Sequence, residues 1–317
     1  MGEKLFTNKI LIAVVLSLLV LLPFVSDSRF LLTMMIQVFI LAVYGMSYDL
    51  LLGYTGIVSF GHALFFGTGA YSVGILLSKT KEPGLLPLAI LIAVAMSVLV
   101  GVIIGGLSLR VKDVYFSMIT LAFAELFFII SEKWSSLTGG NDGIPSIPVP
   151  AIFRERIVFY YMALLFLIAM YLFLRRLVNS PLGRTLQAIR ENEHRVESLG
   201  YNVLQFKLLS IVASGVVATL AGAMWAIFQR YVNTSVLGLD RTVDALLMTI
   251  IGGTGTLIGA VFGSGVITFA HEWLSSLSTV HPIFERWLLF FGILYIVIVM
   301  FFPKGIVGTI RDRWIRR

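Results

Sequence analysis

Nine runs of residues that carry little or no charge follow one another along the chain, and their length restricts how it can fold. A helix needs about 20 apolar residues to cross the hydrocarbon layer of a membrane. Hydrophobic residues make up 58% of the 317 residues and charged residues only 13%, a balance that no water-exposed surface would tolerate. We therefore predict an all-α fold, a polytopic transmembrane helical bundle of about 8–10 spans with glycine-broken or re-entrant segments. The runs cover residues 10–26, 30–48, 50–78, 85–109, 114–131, 157–174, 208–229, 245–270 and 287–303.

The positions of the basic residues predict how these runs are oriented. Fifteen of the 24 Lys and Arg residues lie in four links: the N-terminal segment, the turn at residues 110–112, the central polar stretch and the C-terminal tail. The positive-inside rule places these links, and with them the N- and C-termini, in the cytoplasm. Because topology accounts for the net charge of +7, we expect lipid rather than nucleic acid as a partner. The absence of cysteine excludes disulfides and Cys-based metal sites.

The same rule tests how many times each run crosses the membrane. If residues 245–270 crossed once, the basic C-terminal tail would lie outside. This run must therefore cross an even number of times, and at 26 residues we favour two broken or half helices. The alternative is a missed crossing near residues 272–285. Residues 23–26 lack a small-x-small cleavage site, so we expect the first run to be a helix rather than a signal peptide.

Residues 179–207 form the longest polar stretch of the chain. Ser180 is suited to cap a helix, Pro181 to occupy its first position, and Gly200 to follow its end as a left-handed residue. One apolar stripe on this predicted helix needs a partner, which is either the rest of the same chain or a separate protein. The stripe consists of Leu182, Leu186, Ile189, Val196 and Leu199.

Two of the nine runs, 50–78 and 245–270, are rich in glycine. Small residues let helices pack closely in lipid, which is the purely structural interpretation. Alternatively, paired glycine-broken segments mark the midplane substrate site of a transporter, where unwound backbone meets the substrate. The different crossing numbers of the two runs argue against a strict inverted repeat. The glycines are Gly53, Gly56, Gly61, Gly67, Gly69 and Gly74 in the first run and Gly252, Gly253, Gly255, Gly259, Gly263 and Gly265 in the second.

Ionisable residues within the runs are candidates for function because an acid at the helix centre costs roughly 2.5 to 3.5 kcal/mol on insertion scales. Glu125 either makes a hydrogen-bonded contact between helices or lines a substrate path. His62 is either a satisfied hydrogen-bonding residue or a substrate contact. We expect Asp49, Arg241 and Asp244 near the membrane faces, where water solvates charge.

Several motifs between residues 47 and 308 resemble those of one family of permeases. Residues 50–71 read LLLGYTGIVSFGHALFFGTGAY and residues 138–143 read TGGNDG. Residues 250–259 read IIGGTGTLIG and residues 302–308 read FPKGIVG. Residues 183–200, GRTLQAIRENEHRVESLG, precede another apolar run. Together they resemble the LivM-type branched-chain amino-acid permeases of ABC importers, the hydrophobic amino-acid uptake permease family.

The resemblance implies that residues 1–317 form a single ABC-importer transmembrane permease domain, with a cytoplasmic coupling loop at residues 176–207. It also implies a multi-pass location in the inner membrane of a prokaryote. The implied partners are a second homologous permease subunit, two ABC ATPase subunits and an extracytoplasmic amino-acid-binding protein. No G-x-x-x-x-G-K-[ST] motif occurs in the sequence. We therefore expect no cofactor on this chain, and ATP with Mg on the ATPase subunits.

Two sets of site residues follow from these expectations. We expect the translocation path to include Gly53, Tyr54, Thr55, Gly56, Ser59, His62, Glu125, Gly252, Gly253 and Gly255. We expect coupling to the ATPase through Gly183, Arg184, Leu186, Ile189, Arg190, Glu193, Val196, Leu199 and Gly200.

Other functions stay open at this point. The same permease type serves urea, amides and other amino acids besides branched-chain ones. An ion-coupled secondary transporter would need a coupling site, for which Glu125, His62 and Asp49 are candidates, but it would leave the amphipathic polar stretch without a role. A passive channel would need repeated pore-lining polar residues, which are not evident. The four histidines are scattered without an H-E-x-x-H motif, so we predict no catalytic residues and no metal site.

Overall fold

The computed structural model describes residues 17–24, 28–111 and 113–278, together with residues 290, 292, 293, 296, 300 and 305. Most of the last apolar run, the charged termini and most of the first run lie outside the described residues. Within them the secondary structure is helical apart from one isolated antiparallel bridge between Ile144 and Val232. The helices are α1, Arg29–Asp49; α2, His62–Thr80; α3, Leu86–Ser108; α4, Asp113–Lys133; α5, Ser135–Thr138; α6, Arg156–Asn179; α7, Pro181–Glu191; α8, Glu193–Ser198; α9, Val203–Gln229; α10, Leu239–Gly252; and α11, Leu257–Ser278.

The predicted transmembrane bundle is confirmed. In the described part of the chain, six helical segments are long and apolar enough to cross a membrane. Large apolar side chains stand exposed on the outer helices, among them Leu91 at 66% and Tyr115 at 71%. Such surfaces are stable only where lipid covers them. The chain is therefore a multi-pass membrane protein. The six segments are Arg29–Thr55, Pro83–Ser108, Val114–Lys133, Arg156–Asn179, Val203–Gln229 and Leu257–Leu274.

Helices α1 and α9 form the centre of the bundle. In each, 72% of the most apolar segment is buried, against 28% in α4. Helix α2 packs against α9 so closely that a side chain at Gly69 would meet the Thr219 carbonyl, and one at Gly222 would meet the Phe66 carbonyl. Hydroxyl groups also bond across helices, as Ser264 Oγ does to the Val38 carbonyl at 3.3 Å. Close packing through small residues is thus confirmed for this pair of helices.

Helix α1 continues beyond the point where the sequence suggested a boundary. The runs 30–48 and 50–78 were divided at Asp49, but α1 passes into a π-helical turn, Leu50–Thr55, that ends at Gly56 with φ +77°. Residues 56–61 then turn the chain, and α2 begins at His62. The prediction that water solvates the Asp49 side chain is wrong, because this side chain is fully buried. One oxygen of this buried carboxyl group accepts a hydrogen bond from a backbone N–H inside the protein.

The run 245–270 is divided between two helices, as predicted, but the second, α11, is long enough to cross a membrane and is not a half helix. Helix α10 ends at Gly252, and α11 begins at Leu257. Between them Gly253 has φ +117° and Gly255 has φ +76°, backbone conformations that favour glycine. At about 1.5 Å per residue, the 14 residues of α10 reach only about 21 Å, which is short of a full crossing.

The helix predicted within the polar loop, residues 176–207, begins and ends as predicted but is divided into two helices. Ser180 accepts from the backbone N–H of Gly183, and Pro181 is the first residue of α7. Gly200 has φ +86° after α8. Between the two helices Asn192 leaves the helical conformation, with φ −160°, and its side chain accepts from the N–H of Arg195 at 3.0 Å. This second N-cap is the physical reason for the break.

The segments that connect the helices lie at two opposite ends of the bundle. The α3–α4 turn and the polar loop border one cavity, which places them together at what we call the loop end. Residues 144–147 pair with residues 230–232 at the opposite end. The described residues of the turn at 110–112, which are 110 and 111, therefore share a side with the polar loop, as predicted.

Candidate functional site

The two glycine-rich segments and the polar loop meet at the loop end of the bundle. The end of α1 contributes Gly53 and Gly56, and the α10–α11 turn contributes Gly253 and Gly255. We call these four glycines the glycine junction. They lie where α1 and α10 end, beside α7 of the polar loop. Both segments lie at helix ends, and their position at the membrane midplane stays a prediction.

Arg190 connects α7 to the glycine junction. Its Nη1 donates a hydrogen bond to the Gly53 carbonyl oxygen, 137 residues away in sequence. Gly53 is in the π-helical turn that ends the helical segment begun by α1, where carbonyl groups lack a partner within the helix. A cation placed there also interacts favourably with the negative end of the helix dipole. Arg190 therefore acts as a cap that a different helix supplies.

Asp49 ties the two glycine segments together from within. Its Oδ1 accepts a hydrogen bond from the Gly255 N–H at 2.7 Å. A Cβ at Gly53 would collide with this oxygen and with the Gly255 nitrogen, and would lie 2.8 Å from the Gly255 Cα. Gly305 packs against Gly253 in the same way, leaving no room for a side chain. The backbones approach this closely because none of these residues carries a Cβ.

The polar residues next to the glycine junction mostly support the local backbone. Thr55 Oγ1 bonds to the Leu50 carbonyl at 2.9 Å and to Ser210 Oγ of α9 at 2.7 Å. Ser59 Oγ accepts from the Gly61 N–H at 3.3 Å. Tyr54 is partly buried. These bonds fix the turn between α1 and α2, and a role of these residues in the translocation path stays a prediction.

His62 lies deeper in the bundle, fully buried against α1. Its Nε2 is 2.8 Å from Ser47 Oγ, and its ring stacks on Tyr44 with 5.2 Å between the ring centres. The single Ser47 hydroxyl proton is donated to the Tyr44 carbonyl at 2.6 Å. Nε2 must then carry the proton that joins it to Ser47, which leaves Nδ1 as an acceptor. The Ala63 N–H, the next one along the chain, donates a hydrogen bond to Thr242 Oγ1 at 2.9 Å.

Glu125 lies on α4, away from the centre of the bundle, and is partly exposed. The same helix reaches the α1–α2 turn through Ser117, whose hydroxyl donates to the Val58 carbonyl at 2.7 Å. Thr120 accepts from the Phe60 N–H at 3.2 Å. The structure therefore brings α4 to the turn beside the glycine junction through these two residues and not through Glu125.

Three of the five residues of the apolar stripe in the polar loop face the chain's own helices. Leu186, Ile189 and Val196 are buried, and the last two pack with Val203 and Phe206. This corrects the interpretation that these side chains are presented to a separate protein. At Gly183 a Cβ would meet the Val178 backbone, which fixes α7 tightly to the end of α6.

Other coupling candidates are accessible. Leu199 is 71% exposed. Arg184 and Gly200 are exposed as well. Glu193 is partly buried in an ion pair with Lys207 Nζ at 2.7 Å. A separate protein can therefore reach the loop at Arg184, Leu199 and Gly200, and a role in coupling stays a prediction for all of these residues.

A cavity of about 560 Å³ opens at the loop end. It lies between residues 56–60, the α3–α4 turn and the polar loop, which contributes Glu193, Glu197 and Lys207 to its wall. Among the described residues, no group of three or more His, Asp or Glu side chains is arranged to hold a metal ion.

Comparison with known proteins assigns the chain to a family. Residues 30–300 match the family model described as branched-chain amino acid transport system / permease component. The chain belongs to this family. It is 25% identical over 303 residues to the high-affinity branched-chain amino acid transport system permease protein LivM of Salmonella typhimurium, covering 86% of this chain and 68% of that protein. No solved structure matches it.

Two other relatives are similar to more than half of the chain. The probable branched-chain amino acid transport permease protein LivM of Methanocaldococcus jannaschii is 25% identical over 308 residues, covering 84% of this chain and 89% of that protein. The ribose import permease protein RbsC of Haemophilus influenzae is 23% identical over 207 residues, covering 60% of this chain and 62% of that protein. As a member of this permease family, the chain is a transport subunit.

Some residues that build the site of this permease were missed in the sequence. The partners Ser47, Ser210 and Thr242 are single hydroxyl residues inside apolar helices, and no local pattern distinguishes them. Asp49 offered a signal, because it is an acid one turn before a glycine in an otherwise apolar run. Its partner in the α10–α11 turn could not be identified from the sequence.

Proposed function

We propose that this chain is the membrane permease subunit of an ATP-driven ABC importer for branched-chain, hydrophobic amino acids. The observation that carries the proposal is the match to LivM relatives along 84–86% of the chain. The contact of the polar loop with both glycine segments supports it, since a loop that responds to an ATPase must touch the part that moves.

The substrate class follows from the extent of the matches. Relatives named for branched-chain amino acids cover 84% or more of the chain, whereas the ribose and autoinducer 2 permeases cover 60% and 42%. Amino acids are therefore the better choice than sugars. In the proposed importer an extracytoplasmic binding protein selects the amino acid and delivers it at the opposite end of the bundle.

Free energy for transport comes from two separate ATPase subunits, which bind ATP with Mg. In this proposal each ATPase contacts a polar loop through its exposed residues, such as Arg184 and Leu199. Nucleotide-driven closure of the ATPases moves α7 and α8, and the two permease subunits then alternate which side of the membrane the substrate can reach. The loop end faces the cytoplasm, both termini are cytoplasmic, and the bilayer is a prokaryotic inner membrane.

Co-purification tests the partners directly. The tagged chain is expressed together with its genomic neighbours, solubilised in mild detergent and isolated, and the proteins that accompany it are identified by mass spectrometry. We expect a second permease subunit and an ATPase that carries a P-loop. Recovery of the chain alone would contradict the proposal if the isolated chain also catalyses ion-gradient-driven uptake in liposomes. That result would indicate a secondary transporter.

Binding measurements then test the substrate. The soluble binding protein encoded with the complex is expected to bind leucine, isoleucine or valine more tightly than urea or ribose. Tighter binding of urea or ribose would retain the importer and overturn its proposed substrate.

A further inference from the structure

We propose that Arg190 is the residue that transmits movement of the polar loop to the glycine junction. The inference rests on the proposed function, because the ATPases would supply the movement. It makes Arg190 a positioning residue of the transport cycle, which acts on the membrane helices without contacting ATP.

The contacts of this one side chain reach both glycine segments. Nη1 of Arg190 donates to the Gly53 carbonyl at the end of α1. The stem of the side chain passes over Gly56, where a Cβ would lie 2.9 Å from Arg190 Cγ. At Gly255, in the α10–α11 turn, a Cβ would lie 3.4 Å from Arg190 Nη1. Arg190 is therefore bonded to the π-helical turn that follows α1, and its Nη1 lies beside the α10–α11 turn.

The positive charge of Arg190 is opposite to that of an ionised Asp49 side chain inside the glycine junction. The carboxylate of Asp49 is buried there and accepts from the Gly255 N–H. The guanidinium lies close enough to interact electrostatically with this carboxylate. A buried charge is costly without a compensating partner. Moving Arg190 away would thus weaken the contact between the two glycine segments as well as the bond to Gly53.

The surroundings allow such a movement. Helix α7 has 11 residues and an N-cap at Ser180, so a push on its exposed face displaces Arg190 with the rest of the helix. The turn that Arg190 caps is π-helical, and Gly56 and Gly255 both have positive φ. The cavity at the loop end borders residues 56–60 and leaves space for them to shift.

The first test measures coupling in the intact transporter. The complete complex is reconstituted into liposomes, and the ATP hydrolysed per leucine imported is compared for wild type, Arg190→Ala, Arg190→Lys and Arg175→Ala. Arg175 is the control, because it is an exposed arginine at the end of α6 outside the junction. We expect Arg190→Ala to raise the ratio at least 10-fold and Arg175→Ala to leave it unchanged.

The conservative variant distinguishes coupling from a loss of folded protein. Arg190→Lys keeps the charge but lacks the planar fork of donors, so its ratio should lie between those of wild type and Arg190→Ala. An Arg190→Ala complex with the wild-type ratio, even at a lower rate, would overturn the inference. Wild-type liposomes that import nothing with ATP would instead overturn the proposed function.

The second test observes the linkage without transport. The chain has no cysteine, so spin labels can be placed at two exposed positions, Ala188→Cys on α7 and Thr254→Cys in the α10–α11 turn. In nanodiscs the complex should give a narrow distance distribution. Adding Arg190→Ala should broaden it at least two-fold, since the side chain that joins the two elements is gone. A distribution of unchanged width would contradict the inference.

Discussion

Replacing Gly53 by alanine tests the close approach at the glycine junction. The added Cβ would collide with Asp49 Oδ1 and the Gly255 nitrogen, and would lie 2.8 Å from the Gly255 Cα. Carbon atoms in contact prefer separations of about 3.5–4.0 Å, so the two backbones must separate by about 1 Å. The neighbours are backbone atoms and a side chain held by a hydrogen bond, which cannot simply rotate away.

The cost of this separation follows from the geometry. The bond from the Gly255 N–H to Asp49 is 2.7 Å long and would lengthen to about 3.7 Å, which is beyond hydrogen-bond range. Leaving a buried polar group unpaired costs about 1–3 kcal/mol, and more for a charged group. Relief of the collision costs about 1–3 kcal/mol. Gly53→Ala incurs both costs, because the movement that relieves the collision also breaks the hydrogen bond. We therefore expect the free energy of unfolding to fall by about 2–5 kcal/mol.

Equilibrium unfolding in mixed detergent micelles measures this loss through tryptophan fluorescence, since the chain has five tryptophans. Gly106→Ala is the matched control, because Gly106 also lies in the apolar region but nothing is within 4 Å of its Cβ position. Alanine is favoured over glycine in a helix by up to about 1 kcal/mol, so the control should be neutral or slightly stabilised. Equal stabilities of the two variants would refute the close approach.

Four further substitutions test other parts of the structure. Gly69→Ala should lower the free energy of unfolding by about 1–3 kcal/mol, because its Cβ meets the Thr219 carbonyl; wild-type stability would contradict the α2–α9 crossing. Ile189→Asp should expose the polar loop to limited proteolysis, since it places a charge in an apolar cluster. Leu199→Asp, at an exposed position, should leave the proteolysis pattern unchanged and reduce ATPase capture at least five-fold. The reverse pattern would contradict the assigned faces of the loop. Asn192→Ala should weaken α8 locally by about 1 kcal/mol, seen as faster amide hydrogen exchange at residues 193–198; unchanged exchange would rule out the cap.

The sequence predicted those features that depend on local chemistry. The start of α7 at Ser180 and Pro181 and the left-handed Gly200 follow from capping rules that involve only neighbouring residues. The break between α10 and α11 followed from hydropathy and charge counted along the chain. The break at Asn192 was missed, because the seven-residue spacing from Ile189 to Val196 continued the apolar pattern across it. Asn192 itself is a good N-cap residue and was the available signal.

The sequence could not show which surfaces meet. An apolar stripe indicates that a face is covered but not by what, so Ile189 was assigned to a partner although it packs on the chain's own helices. Asp49 was placed near water because an isolated carboxylate in lipid is costly, and its partner is the N–H of Gly255, 206 residues away. Arg190 was predicted to couple the chain to the ATPase, but its partner in the membrane helices was not identified. Its bond to Gly53 depends on the tertiary packing of α7 against α1.

ATP-dependent uptake of leucine tests the central claim most directly. Liposomes are prepared with this chain, its partner permease and the ATPases, with the binding protein supplied outside, and uptake is measured with ATP, without ATP, and with a proton or sodium gradient in place of ATP. The importer account predicts uptake that requires enclosed ATP and all of these subunits. Uptake by the chain alone, driven by an ion gradient and indifferent to ATP, would contradict it.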